Sequence, residues 1–446
     1  MALTKIITEG IDDDAVTEAK LANAINTAVA ANTAKDLSNL DAANITSGTI
    51  PTDRFPTTLP VLNGSNLTNL AAGQLSGTLP AISGANLTDI STTPADGSIT
   101  QAKLNFPVAN RNLIINGAMQ IAQRGTSFTT GDNAEHYVMD RWALYVQNSN
   151  SRFTVTQSED APDGFGRACK IDCTTADTSL ASNEEVQLQQ KIEGFNTQDF
   201  AKGTSAAKQY TLSFYVKTNK TGTYIVRLLG RDNTTSHVAA SYTVSDTNWN
   251  RYTITFPADT TNGRSDNDDN GESLRVVWWL VAGSAVNSGS LQTTWANSSD
   301  TGAATGQVNF ADSTSNDFFI TGCQLEVGSV ATDFEHKSFG QDLWACKRYY
   351  QLHSMRYMAG NPVSTGNSGS IGGSTLVFSP EMRATPVATH SSLMLKSASA
   401  AFVNASLHAN YELTKQKLNY VVGKASPSNL HSYVIFANLG TFEAEL

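Results

Sequence analysis

The sequence predicts a mainly β protein: a short N-terminal helix, a thin repetitive shaft, an antiparallel β-sandwich of jelly-roll type, and a small C-terminal β tip domain. Three observations predict it. Only 16% of the residues are charged, below the roughly 25% usual in soluble domains. The place of the missing charge is taken by Ser, Thr, Asn and Gly, which suit strands and turns rather than helices. From residue 110 to about 335 the apolar residues alternate with period two. The leading segment, finally, has almost no aromatic residues. Before Phe106 the only Phe, Trp or Tyr is Phe55, and the remaining 35 of 37 follow Phe106. Large aromatics dominate core burial, so residues 1–105 lack the material for a core of their own.

Residues 14–34 are the one good helix candidate in that segment. Asp14 can cap it, and Leu21, Ile25, Ala28 and Asn32 follow a four-three-four spacing. The stripe is thin and alanine-rich, which suits packing against copies of itself or against a docking partner. The following stretch, 37–108, is repetitive. Leu59 to Leu70 returns twenty residues later as Leu79 to Ile90, Ser47 to Pro51 returns as Ser76 to Pro80, and Ala15 to Leu21 is echoed by Ser98 to Leu104. Each unit holds a few small aliphatics and a Gly or Pro turn. The conformational entropy lost on ordering such a unit exceeds what those side chains recover by burial. The stretch is therefore either a flexible linker or a strip that takes the missing burial from other chains. Regular aliphatic spacing favours the second, and homotrimeric winding about a shared axis supplies the partner surface.

The β domain reads clearly from its alternation. Tyr210, Leu212, Phe214 and Val216 share one face, with Thr211, Ser213, Tyr215 and Lys217 opposite. Tyr252, Ile254 and Phe256 repeat the pattern, and Tyr224 to Leu229 is a further strand. Leu274 to Val281 is apolar on both faces, which predicts a central strand. Turn-rich segments such as Thr218 to Gly222 and Asp232 to Ser236 separate them. About ten strands with polar loops predict a sandwich or jelly roll. Helix competes only near Gln341 to Tyr350. The predicted division is 1–36, a thin shaft over 37–108, the sandwich over 109–340, and the tip over 341–446.

Composition excludes several functions. Thirty Lys and Arg against forty Asp and Glu leave a net charge of −10, so a phosphate-tracking basic groove is excluded as the main function. The amino terminus lacks a secretory signal pattern. The longest strongly apolar run, Val276 to Ala282, is far short of the roughly 20 residues that span a bilayer, so no membrane insertion is expected. Four cysteines in 446 residues are not a disulfide scaffold. They read as four reduced, mostly buried thiols in a chain made in a cytoplasm.

The residues also carry a resemblance. Asn112 to Met119 with Gln123-Arg124-Gly125, then Asp140-Arg141-Trp142, resemble the opening of a domain common in bacteriophage tail fibres. Phe319 to Glu335, followed by Cys346 to Tyr350, resembles its closing half. Tyr210 to Lys217 is similar to a recurrent strand of carbohydrate-binding jelly rolls, and Phe378 to Pro386 with Phe442 to Leu446 resembles small fibre-end domains. The resemblance implies a non-enzymatic, homotrimeric fibre of the virion. Residues 1–36 would dock on phage tail proteins, and the C-terminal β domains would bind a host-surface polysaccharide or lipopolysaccharide during adsorption. Two alternatives stay open: a fibre-borne polysaccharide depolymerase and a purely structural tail connector.

Candidate chemistry is sparse. Asp266, Asp268 and Asn270 stand at the opening spacing of a calcium loop. Position twelve, where a bidentate carboxylate belongs, is Val277, so a solvated acidic hairpin competes with a calcium site, and no other cofactor is expected. Glu326, Asp333 and Glu335 could be paired glycosidase acids but stand in the closing motif, where packing is the competing role. Sugars stack on aromatic faces ringed by amides and carboxylates. Most tryptophans stand in strands or packing motifs and are expected in the core. Trp295, in the polar stretch Thr293 to Gly302, is the exception and is read as a ligand candidate. Arg356, Tyr357 and Asn361 precede a glycine-rich loop at 366–373 and are the other candidates.

Overall fold

The computed structural model describes residues 110–131, 133–149, 152–232, 235–261, 269–297, 300–359, 370–390, 393–396, 402–407, 412–423 and 433–446, together with Ile25, Thr27, Ala28, Ala30 and Ala31. The chain divides into two compact units, Met1–Ile90 and Ser91–Leu446. In the first, the five described residues are helical and exposed, within the helix expected over 14–34. The shaft expected over 37–108 lies outside the described residues.

In the second unit, β1 (Ser127–Thr129), β2 (Ala134–Tyr137), β3 (Ala143–Gln147), β4 (Phe153–Ser158), β5 (Ala168–Cys173) and β6 (Glu185–Glu193) are followed by β7 (Tyr210–Thr218), β8 (Gly222–Gly230) and β9 (Ser236–Val244). Then come β10 (Asn250–Phe256), β11 (Glu272–Ala282), β12 (Ala296–Asn297) and β13 (Asp317–Val327). They form two antiparallel sheets. One has six strands in the order β1-β4-β5-β13-β7-β10; the other has seven in the order β12-β9-β8-β11-β6-β3-β2. The chain crosses repeatedly between the sheets, as in a jelly roll.

The period-two pattern explains how the sheets pack. Leu212, Phe214 and Val216 of β7 and Phe318 and Ile320 of β13 meet Val226 and Leu228 of β8 and Val276, Trp278 and Leu280 of β11 in one core. Every one of these side chains is fully buried. Strand β11 lies in the middle of the seven-stranded sheet, as its two apolar faces predict. All four cysteines are free and buried. Cys169 and Cys173 enter the same core from one face of β5.

The stretches Asn112 to Met119 and Phe319 to Glu335 clasp each other. The Asn112 side chain donates to the Cys323 carbonyl at 3.1 Å and accepts from the N–H groups of Ile114 and Leu325. Leu113 N donates to Leu325 O, and Cys323 N to Gly117 O, both at 3.0 Å. A Cβ on Gly117 would stand 2.2 Å from the Cys323 oxygen, so only glycine lets this turn approach β13 so closely. Asn116, with φ +57, bonds Ile121 and Asp140 through its amide and accepts the Trp142 indole N–H at its carbonyl. The acids considered above for catalysis belong to the same clasp. Glu326 accepts from Gln324 and Thr332, and Glu335 accepts from Asn110 and Asn112.

Helix α1 (Phe339–Lys347) follows, at the site where helix was expected. It starts at a capping box in which Ser338 and Gln341 bond each other's backbone N–H groups. Eight further strands then build a third antiparallel sheet: β14 (Tyr350–Ala359), β15 (Ser370–Val377), β16 (Val387–His390), β17 (Leu393–Lys396), β18 (Phe402–Leu407), β19 (Glu412–Leu413), β20 (Lys417–Gly423) and β21 (Tyr433–Glu443). Its last residues are stitched to the sandwich by buried charge. Arg141, 1% exposed, pairs with Glu445, donates to Lys191 O at 2.6 Å and lies 3.4 Å over the Tyr349 ring. Arg124 reaches Glu443 and Glu445 and covers the Tyr350 ring. Arg348 forms a fork with Glu193.

Candidate functional site

The outer face of the seven-stranded sheet carries a row of ordered polar side chains that begins at that junction, where Lys191 donates to Leu446 O at 2.6 Å. In β6, Val186, Leu188 and Ile192 turn into the core, which by alternation sends Glu185, Gln187, Gln189 and Lys191 to the other face, where neighbouring side chains bury all but Glu185. The register aligns them across neighbours. Glu135 stands opposite Tyr145, Tyr145 opposite Gln187, and Gln187 opposite Trp279. One step along, Ala143, Gln189, Val277 and Arg227 form the next row. Strand spacing of about 4.8 Å thus fixes a lattice of donors and acceptors.

The groups hold one another in place. Gln189 donates to Glu135 at 2.8 Å, Lys191 donates to Glu135 at 2.7 Å, and Arg275 donates to Gln189 at 3.1 Å. Arg275 also forks onto Glu272. Gln187 donates to Glu185 at 2.7 Å, and the Tyr145 hydroxyl donates to Gln147. At the far side Arg227 donates to Asp300 at 2.9 Å and contacts His237 Nδ1 at 2.7 Å. Each of Lys191, Arg275 and Arg227 therefore has a carboxylate partner.

Part of the face is roofed. Val286, Leu291, Ala303 and Ala304, from the segment after β11, pack on Ile225, Ala239, Val277 and Trp279. Tyr145 and Glu185 remain half-buried beside this roof. Burial pushes the Glu185 carboxyl up, reinforced by Asp300. Burial also raises the Tyr145 hydroxyl, reinforced by Glu185 and Glu135, so it stays a neutral donor at pH 7. His237 is driven down to about 4 by burial and by the Arg227 guanidinium, which keeps the imidazole neutral and its Nδ1 free to accept from Arg227. Chemically the face is a rigid row of amide, carboxylate and hydroxyl groups with its cations neutralised.

The structure places the expected site residues elsewhere. Trp295 does not sit in an open loop: it is 9% exposed and packs on Tyr210. Its indole N–H donates to Pro257 O at 2.8 Å, and the Lys202 ammonium lies 4.9 Å from its ring. The polar residues around it are spent on that fold-back, since Lys202 is itself paired with buried Asp259 at 2.9 Å. Arg356 and Tyr357 lie on β14, paired with Phe436 and Ile435 of β21, and their side chains lie outside the described residues, as do Asn361, Asp266 and Asp268. Asn270 donates its amide to Arg383 O at 2.5 Å. Among the described residues no group of three His, Cys, Asp or Glu side chains is placed to hold a metal ion. Tyr145, Glu185, Gln187 and Gln189 were missed as site candidates. Their signal was present in the alternation of acid and amide with Val186, Leu188 and Ile192 along β6.

Fold and face together define a jelly-roll-like β-sandwich with one polar outer sheet. No family model and no curated protein matches the chain. Among solved structures it is similar to a family 4 carbohydrate-binding module, at 16% identity and TM-score 0.25 over 48% of this chain and 97% of that one. It is also similar to a family 11 carbohydrate-binding module from Clostridium thermocellum, solved with a mixed-linked tetrasaccharide, at 10% identity and TM-score 0.24 over 47% and 98%. A xylan-binding domain from Paenibacillus barcinonensis matches at 13% identity and TM-score 0.23 over 46% and 94%.

Proposed function

We propose that the chain is a bacteriophage tail fibre, a homotrimer that docks on the tail through residues 1–36 and binds a host-surface glycan through its C-terminal β domains. One observation carries the reading. The sequence stretches that resemble the opening and closing of a fibre domain, Asn112 to Met119 and Phe319 to Glu335, fold against each other as a single clasp. Two stretches some two hundred residues apart thus belong to one structural unit, as the opening and closing of a single domain would. The segment before Phe106, poor in aromatics, fits a shaft that takes its burial from sister chains.

The polar outer face supports the glycan half of the reading. Tyr145 offers a ring for the apolar side of a sugar and half-buried Glu185 meets hydroxyls beside it, while the buried Gln187 and Gln189 hold Glu185 and Glu135 in place from beneath. With its cations already paired, the face is better matched to hydroxyls than to phosphate or sulfate. Three such faces on one trimer gain avidity, so weak individual contacts suffice to hold a particle on a cell. Binding rather than cleavage is the activity we assign.

The test uses the purified full chain against lipopolysaccharide and capsule preparations from a panel of bacterial strains. We expect binding to a subset of them and competition with phage adsorption. Tyr145→Ala and Glu185→Ala should each weaken binding about tenfold, the scale of losing one 1.4 kcal/mol contact. Release of oligosaccharides by the protein would identify a depolymerase instead. A chain that neither binds nor competes would identify a structural connector.

A further inference from the structure

We infer that the exposed side of helix α1 is a contact between copies of this chain, formed where each chain enters its sandwich. The inference rests on the homotrimer proposed above. Helix α1 buries Asp342 and Cys346 yet exposes Phe339 at 58% and Trp344 at 55%, with Leu343 half-buried beside them. Of the other indoles, Trp142, Trp278 and Trp279 are at most 1% exposed and Trp295 is 9% exposed, and half-buried Trp249 is held by Asp160 and Phe319. Two large aromatics left open on a nine-residue helix mark an interaction surface rather than a scattered apolar residue.

The occupant follows from where the chain enters. The 109 residues that precede Asn110 join the sandwich on the edge that leads into α1. Asn110 and Asn112 donate backbone N–H groups to the Glu335 carboxylate. Arg111 reaches Thr332 and the Asp333 carbonyl, and Lys337 donates to Asn112 O at 3.2 Å. Helix α1 begins two residues after Lys337. Association of copies through the preceding residues therefore delivers their α1 helices to one another. Those 109 residues contain only Phe55 and Phe106 as aromatics, so they are poorly equipped to cover an indole and a phenyl ring themselves. The same helix on a second copy is well equipped.

Magnitude decides what kind of contact this is. An aromatic side chain buries about 150–250 Å², so two rings each about half exposed offer roughly that area in all. A free-standing interface needs about 800 Å² per partner. The α1 face cannot assemble separate chains on its own, but it can lock sandwiches already tethered at high effective concentration.

The experiment uses the full chain, with native mass measurement for stoichiometry and acrylamide quenching of tryptophan fluorescence for coverage. The Trp344→Phe variant isolates the contribution of Trp344. In a trimer we expect Trp344 to be shielded, and Phe339→Asp to shift its covered-to-open ratio about tenfold, the effect of losing one aromatic anchor. Phe339 is a surface residue, so the sandwich should retain its melting temperature and the readout reports contact alone. A trimer in which Trp344 is freely quenched overturns this inference and leaves the trimer standing. A monomer overturns both, and a monomer with shielded Trp344 assigns the face to the chain's own leading segment.

Discussion

Replacing Arg141 by methionine tests how the third sheet is fixed to the sandwich. The guanidinium is 1% exposed and faces Glu445, which is 5% exposed. Burial works against its charge and is the largest single influence, but Glu445 together with Tyr349, Tyr137 and Cys346 more than offsets it and holds the arginine protonated. Methionine keeps most of the stem but removes the guanidinium that lies over Tyr349 and bonds Lys191 O, and it leaves the Glu445 carboxylate with Arg124, at 3.0 Å. Breaking a buried pair from one side costs about 3–5 kcal/mol. At about 2–4 °C per kcal/mol for large domains, the melting temperature should fall by about 6–20 °C in calorimetry. Adding Glu445→Leu removes the stranded charge, while Arg124 keeps Glu443 and Asp140. The double variant should therefore recover at least half the loss, since apolar replacements of buried pairs are often neutral. A loss below about 1 kcal/mol for the single variant, or no recovery in the double, would refute the argument that this pair is effectively desolvated.

Other expectations follow from the same packing. Gly117→Ala should destabilise by at least the roughly 1–3 kcal/mol of an overpacked site, because the new methyl meets a backbone oxygen rather than a movable side chain; urea melts would show it as a lower midpoint. Asp259→Asn should cost about 3–5 kcal/mol by leaving the 2%-exposed Lys202 ammonium without its carboxylate, and the emission of Trp295 beside it should shift. His237 carries a pH dependence. Its pKa falls from the ordinary 6.5 to about 4 in the fold, so its contribution to stability is present above pH 6.5 and is lost as pH drops toward 4. His237→Gln should lose less stability than the parent between pH 7 and pH 4.5, measured by thermal melts at matched salt.

Period-two alternation was sufficient to read the sandwich, because strands with one buried face announce themselves; β7, β10 and the doubly apolar β11 all stand where the pattern put them. The helix expected near Gln341 to Tyr350 is present but runs over Phe339–Lys347, because a Ser338–Gln341 capping box starts it earlier and β14 takes over at Tyr350. The site was harder. Trp295 looked exposed because its neighbours are polar, yet those neighbours include the ends of segments that fold back over Tyr210, a long-range event no local window records. The outer-face residues of β6 were visible as an alternation but not as a site, since only pairing with β3 and β11 assembles them into a face. Trp344 was misjudged in the opposite direction. A packing motif predicts a buried indole, but the buried positions of α1 are Asp342 and Cys346.

The clasp also determines how the molecule would carry tension. A pull arriving at residue 110 reaches Asn112, which is bonded to Cys323 and Leu325 on β13. That strand is flanked by β5 on one side and β7 on the other. Load would thus spread into the interior of a sheet through many bonds strained at once, instead of unzipping a border strand one bond after another.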